Sequence, residues 1–150
     1  SARLIEQMPL PLGIVATDLD SGQPILFQFG DTGLAVRASS AVPAVFQPVR
    51  IGKREYVDGG LVSPVPVRFA RQMGAELIIA VDISAAGLER ARRSAETRGV
   101  HVHWIEADLE TGAASALPTG PYDLIVANML AEWLKEMAVD IKNHLKPSSK

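Results

Sequence analysis

The first half of the chain alternates short apolar runs with glycine, proline and polar residues. Residues 12–17 are apolar and β-branched and predict a strand, and residues 25–29 predict the strand that returns after a turn over residues 20–24. Residues 33–40 predict a short helix, which ends before Pro43 because the residue preceding a proline avoids helical angles. This part of the chain therefore predicts short elements joined by tight turns.

A hairpin and a helix follow in the sequence. Residues 49–51 (VRI) and 55–57 (EYV) flank a Gly-Lys pair, which predicts a hairpin. Residues 65–73 predict a helix that ends at a glycine. Residues 77–81 form an almost continuous apolar run, as expected for a parallel strand covered on both faces.

The second half has the periodicity of alternating helices and strands. Ser84 is a good N-cap for a helix that Gly99 closes. Residues 100–105 and 124–127 predict strands, and apolar residues recur at helical spacing over residues 130–145. An alternation of this kind builds a parallel sheet with right-handed crossovers.

These patterns predict an α/β fold with a mainly parallel, Rossmann-like sheet flanked by helices. The chain has 150 residues, which is near the usual size of one domain and enough for a sizeable core. We therefore expect a single three-layer domain over residues 1–150.

Composition and charge exclude several classes of function. The net charge is −2, so electrostatics do not favour binding to nucleic acid or to an anionic membrane surface. There is no cysteine, which excludes disulfides and fits a reducing cytoplasm, where we expect the protein to reside. No apolar run approaches the roughly 18–20 residues that a membrane-spanning helix needs.

The first half resembles the C-terminal part of the patatin-like phospholipases over residues 10–84. Three stretches carry the resemblance: PLGIVATDL at 11–19, VRASSAVPAVF at 36–46 and YVDGGL at 56–61. That family consists of acyl hydrolases with a serine–aspartate dyad, so the resemblance implies a lipid-ester substrate and makes Asp58 the catalytic aspartate.

The serine of that dyad is not in this sequence. In the family it lies in a G-x-S-x-G elbow, and none of the 150 residues forms one. The resemblance therefore implies a hydrolase by ancestry that is catalytically inactive as it stands. On the residues alone, an Asp-Gly pair is most often an ordinary turn.

The second half resembles the class I methyltransferases that use S-adenosylmethionine, over residues 80–150. The matching stretches are AVDIS at 80–84, GLERAR at 87–92, IEADL at 105–109 and YDLIVAN at 122–128. The resemblance implies that Asp82 accepts the ribose hydroxyls, that Asp108 lies near the adenine and that Asn128 closes the methionine end. The alternative is that these residues merely end strands or begin a turn.

One part of the methyltransferase pattern is missing. The place of its glycine-rich loop is taken by residues 58–66, which contain two prolines, and each proline removes an amide donor. We therefore expect no resident cofactor, and any binding of S-adenosylmethionine is expected to be weak.

The two resemblances together predict a chimera of residues 1–79 and 80–150. Residues 79–84 are compatible with both families and are the expected seam. Three functions follow as alternatives: an inactive patatin-like hydrolase, a methyltransferase-like domain with a partial cofactor site, or a non-catalytic scaffold. Sheet edges exposed by missing strands favour self-association.

Overall fold

Two β-sheets, one antiparallel and one parallel, organise the described part of the chain. The computed structural model describes residues 3–82, 85–96, 101–106 and 124–128. The chain divides into two compact units, Ser1–Pro64 and Val65–Lys150, with the antiparallel sheet in the first and the parallel sheet in the second.

The first unit contains four strands and one α-helix among its described residues. In chain order these are β1 (Ile14–Asp18), β2 (Pro24–Phe27), α1 (Thr32–Ser39), β3 (Val49–Ile51) and β4 (Arg54–Asp58). The strands lie in the order β2-β1-β4-β3, and every neighbouring pair is antiparallel. The strands, helix and hairpin predicted from residues 12–57 are confirmed.

A short connection explains why β3 and β4 are antiparallel. The β3–β4 hairpin turns through Gly52 and Lys53, and Gly52 has a positive φ of 62°, a conformation that glycine adopts without steric cost. A two-residue turn can join only antiparallel neighbours, because a parallel pair needs a crossover of a dozen or more residues. The turn at Gly52 and Lys53 therefore determines the relative direction of β3 and β4.

The central strand β1 is buried along its whole length and anchors the core of this unit. α1 packs on this sheet and is capped by Asp31, whose carboxylate accepts a hydrogen bond from the Leu34 amide at 2.9 Å. The buried apolar side chains form two clusters: Ile5, Ile14 and Ala35, and Ala16, Ala38, Ala41, Val49 and Tyr56.

The second unit carries the parallel sheet. Its described elements are α2 (Val67–Gln72), β5 (Leu77–Asp82), α3 (Ala85–Glu96), β6 (His101–Glu106) and β7 (Leu124–Asn128). The strand order is β6-β5-β7, so the apolar run predicted as a parallel strand is the central one. Ile78, Ile79 and Ala80 have no exposed surface, which explains why this strand is apolar at consecutive positions.

The fold class is mixed α/β, as predicted, but the sheet is not mainly parallel throughout. The prediction applied a helix–strand alternation to the whole chain, although this alternation begins only at residue 65. The hairpins of the first unit instead produce an antiparallel sheet of four strands. The single three-layer domain stays a prediction.

Several sequence predictions lie outside the described residues. These are the N-cap at Ser84, the helix end at Gly99 and the amphipathic helix over residues 130–145. In the ranges that the structure does describe, no helix is long and apolar enough to cross a membrane.

Candidate functional site

Asp58 is the last residue of β4, and its backbone is held from two sides. Its amide donates to the Ala41 carbonyl at 3.0 Å, and its own carbonyl accepts from the Thr17 hydroxyl at 2.7 Å. Its Oδ1 accepts from the Gly60 amide at 2.8 Å and so caps a 3₁₀ turn over Gly59–Leu61. The half-buried carboxylate therefore has a well-defined position.

The glycine after Asp58 is required by a close backbone approach. A Cβ atom on Gly59 would lie 2.2 Å from the carbonyl oxygen of Val15 in β1, which no side chain can satisfy without moving the backbone. Gly60 is less constrained, since a Cβ there would meet the flexible side chain of Asp58, with Oδ1 the nearest atom at 3.2 Å. Sequence analysis assigned the Asp-Gly-Gly motif to catalysis, and the contacts show a packing requirement at its first glycine.

Asp58 has the position of a base without the hydroxyl that it would activate. Among the described residues, the donor to its carboxylate is the Gly60 amide, and no serine hydroxyl bonds to it. A general base must lie within hydrogen-bond reach of the proton that it takes. The catalytic role of Asp58 therefore stays a prediction.

Asp18 is a second constrained carboxylate, to which sequence analysis assigned no role. It is fully buried, accepts the Asp20 and Ser21 amides at 3.0 Å each, and pairs with Arg54 of β4. The hydrogen bond from Arg54, together with the Ser21 amide, lowers the pKa of Asp18 below its ordinary value of 3.8. The sequence feature that could have indicated this constrained carboxylate is a charged residue at the end of an apolar strand, followed directly by turn residues.

In the second unit, Asp82 ends the central strand β5 and is 4% exposed. Its Cα partners are Glu106 at the end of β6 and Asn128 at the end of β7. The structure thus brings Asp82 and Asn128 to neighbouring positions on one sheet edge. Asp108, the third predicted site residue, lies outside the described residues.

The strand order makes this edge a topological switch point. After β5 the chain runs through α3 to β6 on one side, whereas β7 pairs with β5 on its other side. In open α/β sheets, ligands bind outside the carboxyl ends of the strands where the order reverses in this way. Asp82 and Asn128 occupy those carboxyl ends.

The other half of a nucleotide-type site has no counterpart in the described residues. The strand that precedes α2 in the chain is β4, which belongs to the antiparallel sheet. The connection to α2 contains Pro64 and Pro66, and no glycine-rich loop leads from a parallel strand into this helix. The described residues therefore place an acidic residue at the end of a parallel strand, without a glycine-rich loop before α2.

The described residues also contain no group of three or more histidine, aspartate and glutamate side chains that could hold a metal ion. His103, one of the histidines of β6, is exposed.

Two protein families match different parts of the chain. The patatin-like phospholipase family matches residues 30–71, and the methyltransferase domain family matches residues 65–148, which is more than half of the chain. The chain belongs to the methyltransferase domain family. Both predicted resemblances are confirmed. The two matches overlap within residues 65–71, which lie upstream of the predicted seam at residues 79–84.

The relatives of this methyltransferase-family chain also fall into two groups. An uncharacterized NTE family protein of Mycobacterium tuberculosis is 40% identical over 88 residues, which are 59% of this chain and 24% of that protein. The ribosomal protein L11 methyltransferase of Burkholderia vietnamiensis is 30% identical over 153 residues, which cover 95% of this chain and 48% of that protein. The corresponding protein of Paraburkholderia xenovorans is 31% identical over 94 residues, which are 63% of this chain and 29% of that protein. The chain thus spans about a quarter to a half of the length of these relatives.

Proposed function

We propose that the first unit is a patatin-like acyl hydrolase by descent and that these 150 residues do not hydrolyse esters by themselves. The observation that carries the proposal is the state of Asp58, whose carboxylate accepts the Gly60 amide while no serine hydroxyl of the described residues donates to it. The sequence contains no G-x-S-x-G elbow to supply one.

An ester-hydrolysis assay tests this proposal. Wild type and Asp58→Asn are compared on short-chain p-nitrophenyl esters, because the asparagine keeps an oxygen that can accept the Gly60 amide and removes the basic carboxylate. We expect both proteins to give only the buffer rate. Turnover by the wild type that disappears in a folded Asp58→Asn variant would show that another hydroxyl serves as the nucleophile.

A lipid ester is the substrate class that descent from patatin-like enzymes supports. The dyad would need its serine from a segment or partner outside these residues, with Asp58 taking the hydroxyl proton. Adding a chain that supplies the elbow serine should then restore turnover that depends on Asp58. The lack of cysteine supports a cytoplasmic location.

The second candidate function is a methyltransferase-like unit with part of a cofactor site. The observation that favours it is the register of Asp82 and Asn128 at the switch point of the described three-stranded parallel sheet. S-adenosylmethionine supplies an activated methyl group when it is bound. Asp82 would hold its ribose hydroxyls, Asn128 would face the methionine end, and Asp108 would approach the adenine.

Binding of that cofactor is expected to be weak. A carboxylate that accepts two hydroxyls contributes charge-assisted hydrogen bonds, which are about twice as strong as neutral ones. Losing the backbone contacts of a glycine-rich loop, taken as about 4 kcal/mol, weakens binding about a thousandfold and moves a micromolar site to the millimolar range.

Calorimetry or chemical-shift titration with S-adenosylmethionine decides this second proposal. Wild type should bind with a millimolar Kd, and Asp82→Asn should bind more weakly still. Micromolar binding would contradict the incomplete site. Millimolar binding that is unchanged in Asp82→Asn would place the ligand elsewhere. If neither ester hydrolysis nor binding of S-adenosylmethionine is detected, the third alternative remains, a scaffold without chemistry of its own.

A further inference from the structure

Gly87 lies in the first turn of α3 and contacts the carboxylate of Asp82. A Cβ atom at position 87 would lie 2.7 Å from Oδ2, 3.0 Å from Cγ and 3.2 Å from Oδ1 of Asp82. All three carboxyl atoms are thus within reach of that one position. Because the nearest of them is closer than Cβ atoms normally approach, a side chain at position 87 would displace the carboxylate as a whole.

The backbone of α3 does not itself explain this glycine. Position 87 has a helical conformation, which every residue type except proline adopts readily, and glycine is less favourable than alanine inside a helix. The same residue is buried, as is its helical neighbour Leu88. The contact with Asp82 is the feature that a side chain at position 87 would disturb.

We infer that Gly87 is a positioning residue that sets where the Asp82 carboxylate lies at the end of β5. Asp82 is 4% exposed, and it follows Ile78, Ile79 and Ala80, which have no exposed surface. The carboxylate therefore has little room to move aside if position 87 gains a methyl group. This inference rests on the proposed cofactor site for its ligand, which is the cis-diol of a ribonucleoside.

Displacing the carboxylate would weaken binding through geometry. Hydrogen bonds from hydroxyls to a carboxylate have heavy-atom distances of about 2.5–3.0 Å, so a shift of roughly 1 Å breaks at least one of the two bonds to a cis-diol. The loss of one such bond corresponds to a Kd that is at least about fivefold higher. Gly87→Ala should therefore weaken binding without touching the ligand itself.

A double-mutant cycle tests the contact independently of any ligand. Melting temperatures are measured for wild type, Gly87→Ala, Asp82→Ala and the double variant, with Ala86→Gly as the matched control on the exposed side of the same turn. Ala86→Gly should lower the melting temperature because glycine is the poorer helix former. Gly87→Ala should also lower it in the wild-type background, and should raise it when Asp82 is already alanine.

The ligand arm uses chemical-shift titration with S-adenosylmethionine and with adenosine. Gly87→Ala should raise the Kd for both ligands at least about fivefold, and should have no further effect in the Asp82→Ala background. 2′-Deoxyadenosine, which lacks one hydroxyl of the diol, should bind to wild type and Gly87→Ala with the same weak affinity.

The outcomes separate this inference from the proposed cofactor site. A rise in melting temperature for Gly87→Ala, equal to the loss in Ala86→Gly, would show that no steric contact exists and would overturn the inference. A fall in melting temperature with unchanged Kd would make Gly87 structural only and would also overturn it. If wild type binds neither ligand, the proposed site is wrong, and the sign change in the melting cycle alone decides whether Gly87 positions Asp82.

Discussion

Replacing Gly59 by alanine should destabilise the first unit far more than the same change at Gly60. The added Cβ at position 59 would lie 2.2 Å from the carbonyl oxygen and 2.8 Å from the carbonyl carbon of Val15. These are backbone atoms of β1, which is paired with β2 on one side and β4 on the other. The strand cannot yield by rotating a side chain, so the backbone itself must move.

The cost follows from the size of that movement. Contact distances below 3.0 Å are essentially never seen for Cβ atoms, so the two segments must separate by about 1 Å. Overpacking of this kind costs about 1–3 kcal/mol and occasionally more. Because the contact is with backbone atoms, we expect the cost of Gly59→Ala to lie at the upper end of this range, at about 3 kcal/mol. This loss of stability corresponds to a fall of roughly 12–24 °C in melting temperature for a unit of this size.

Gly60→Ala is the matched control, because it makes the same chemical change one residue away. Its Cβ would lie 3.2 Å from the Asp58 Oδ1, a side-chain atom that can shift by a few tenths of an ångström. Reduced freedom of the unfolded chain contributes about 0.4–1 kcal/mol of stabilisation in return, so the net change should be close to zero.

Scanning calorimetry and urea unfolding followed by circular dichroism measure both variants against wild type. Proton–nitrogen correlation spectra then show whether the loss is confined to residues of the first unit. Equal destabilisation by the two alanines would refute the argument, as would a Gly59→Ala protein as stable as wild type, because either result would mean that β1 does not approach Gly59 as described.

Three further predictions concern charge, cooperativity and assembly. Arg54 lowers the pKa of Asp18, so the stability that this pair contributes is complete above about pH 4 and is lost as the pH falls through the lowered pKa. Acid titration should therefore unfold wild type more steeply than Arg54→Met. Arg50→Met, a change at an exposed arginine, should behave like wild type. The single-domain prediction requires one calorimetric transition, and two transitions assigned to the segments on either side of residue 64 would contradict it. Self-association through strand edges requires a concentration-dependent sedimentation coefficient, and a monomer at every concentration would contradict it.

Sequence patterns were sufficient for most of the local structure. The β3–β4 hairpin follows from the Gly-Lys pair between two short strand-forming stretches, and the buried strand β5 follows from its continuous apolar run. Both are local signals, since turn geometry and burial on two faces restrict which residues can occupy consecutive positions. The resemblances to two families were likewise carried by short motifs, and both were confirmed.

Tertiary structure decided what these elements build together. The sequence predicted a mainly parallel sheet, but the pairing of β1 with β4 lies between residues about forty positions apart, and no local pattern encodes it. The close approach of Gly59 to Val15 and the ion pair of Asp18 with Arg54 are of the same kind. Periodicity along a chain indicates which face of a helix or strand is buried. The atoms that pack against that face come from distant segments of the sequence, and only folding brings them together.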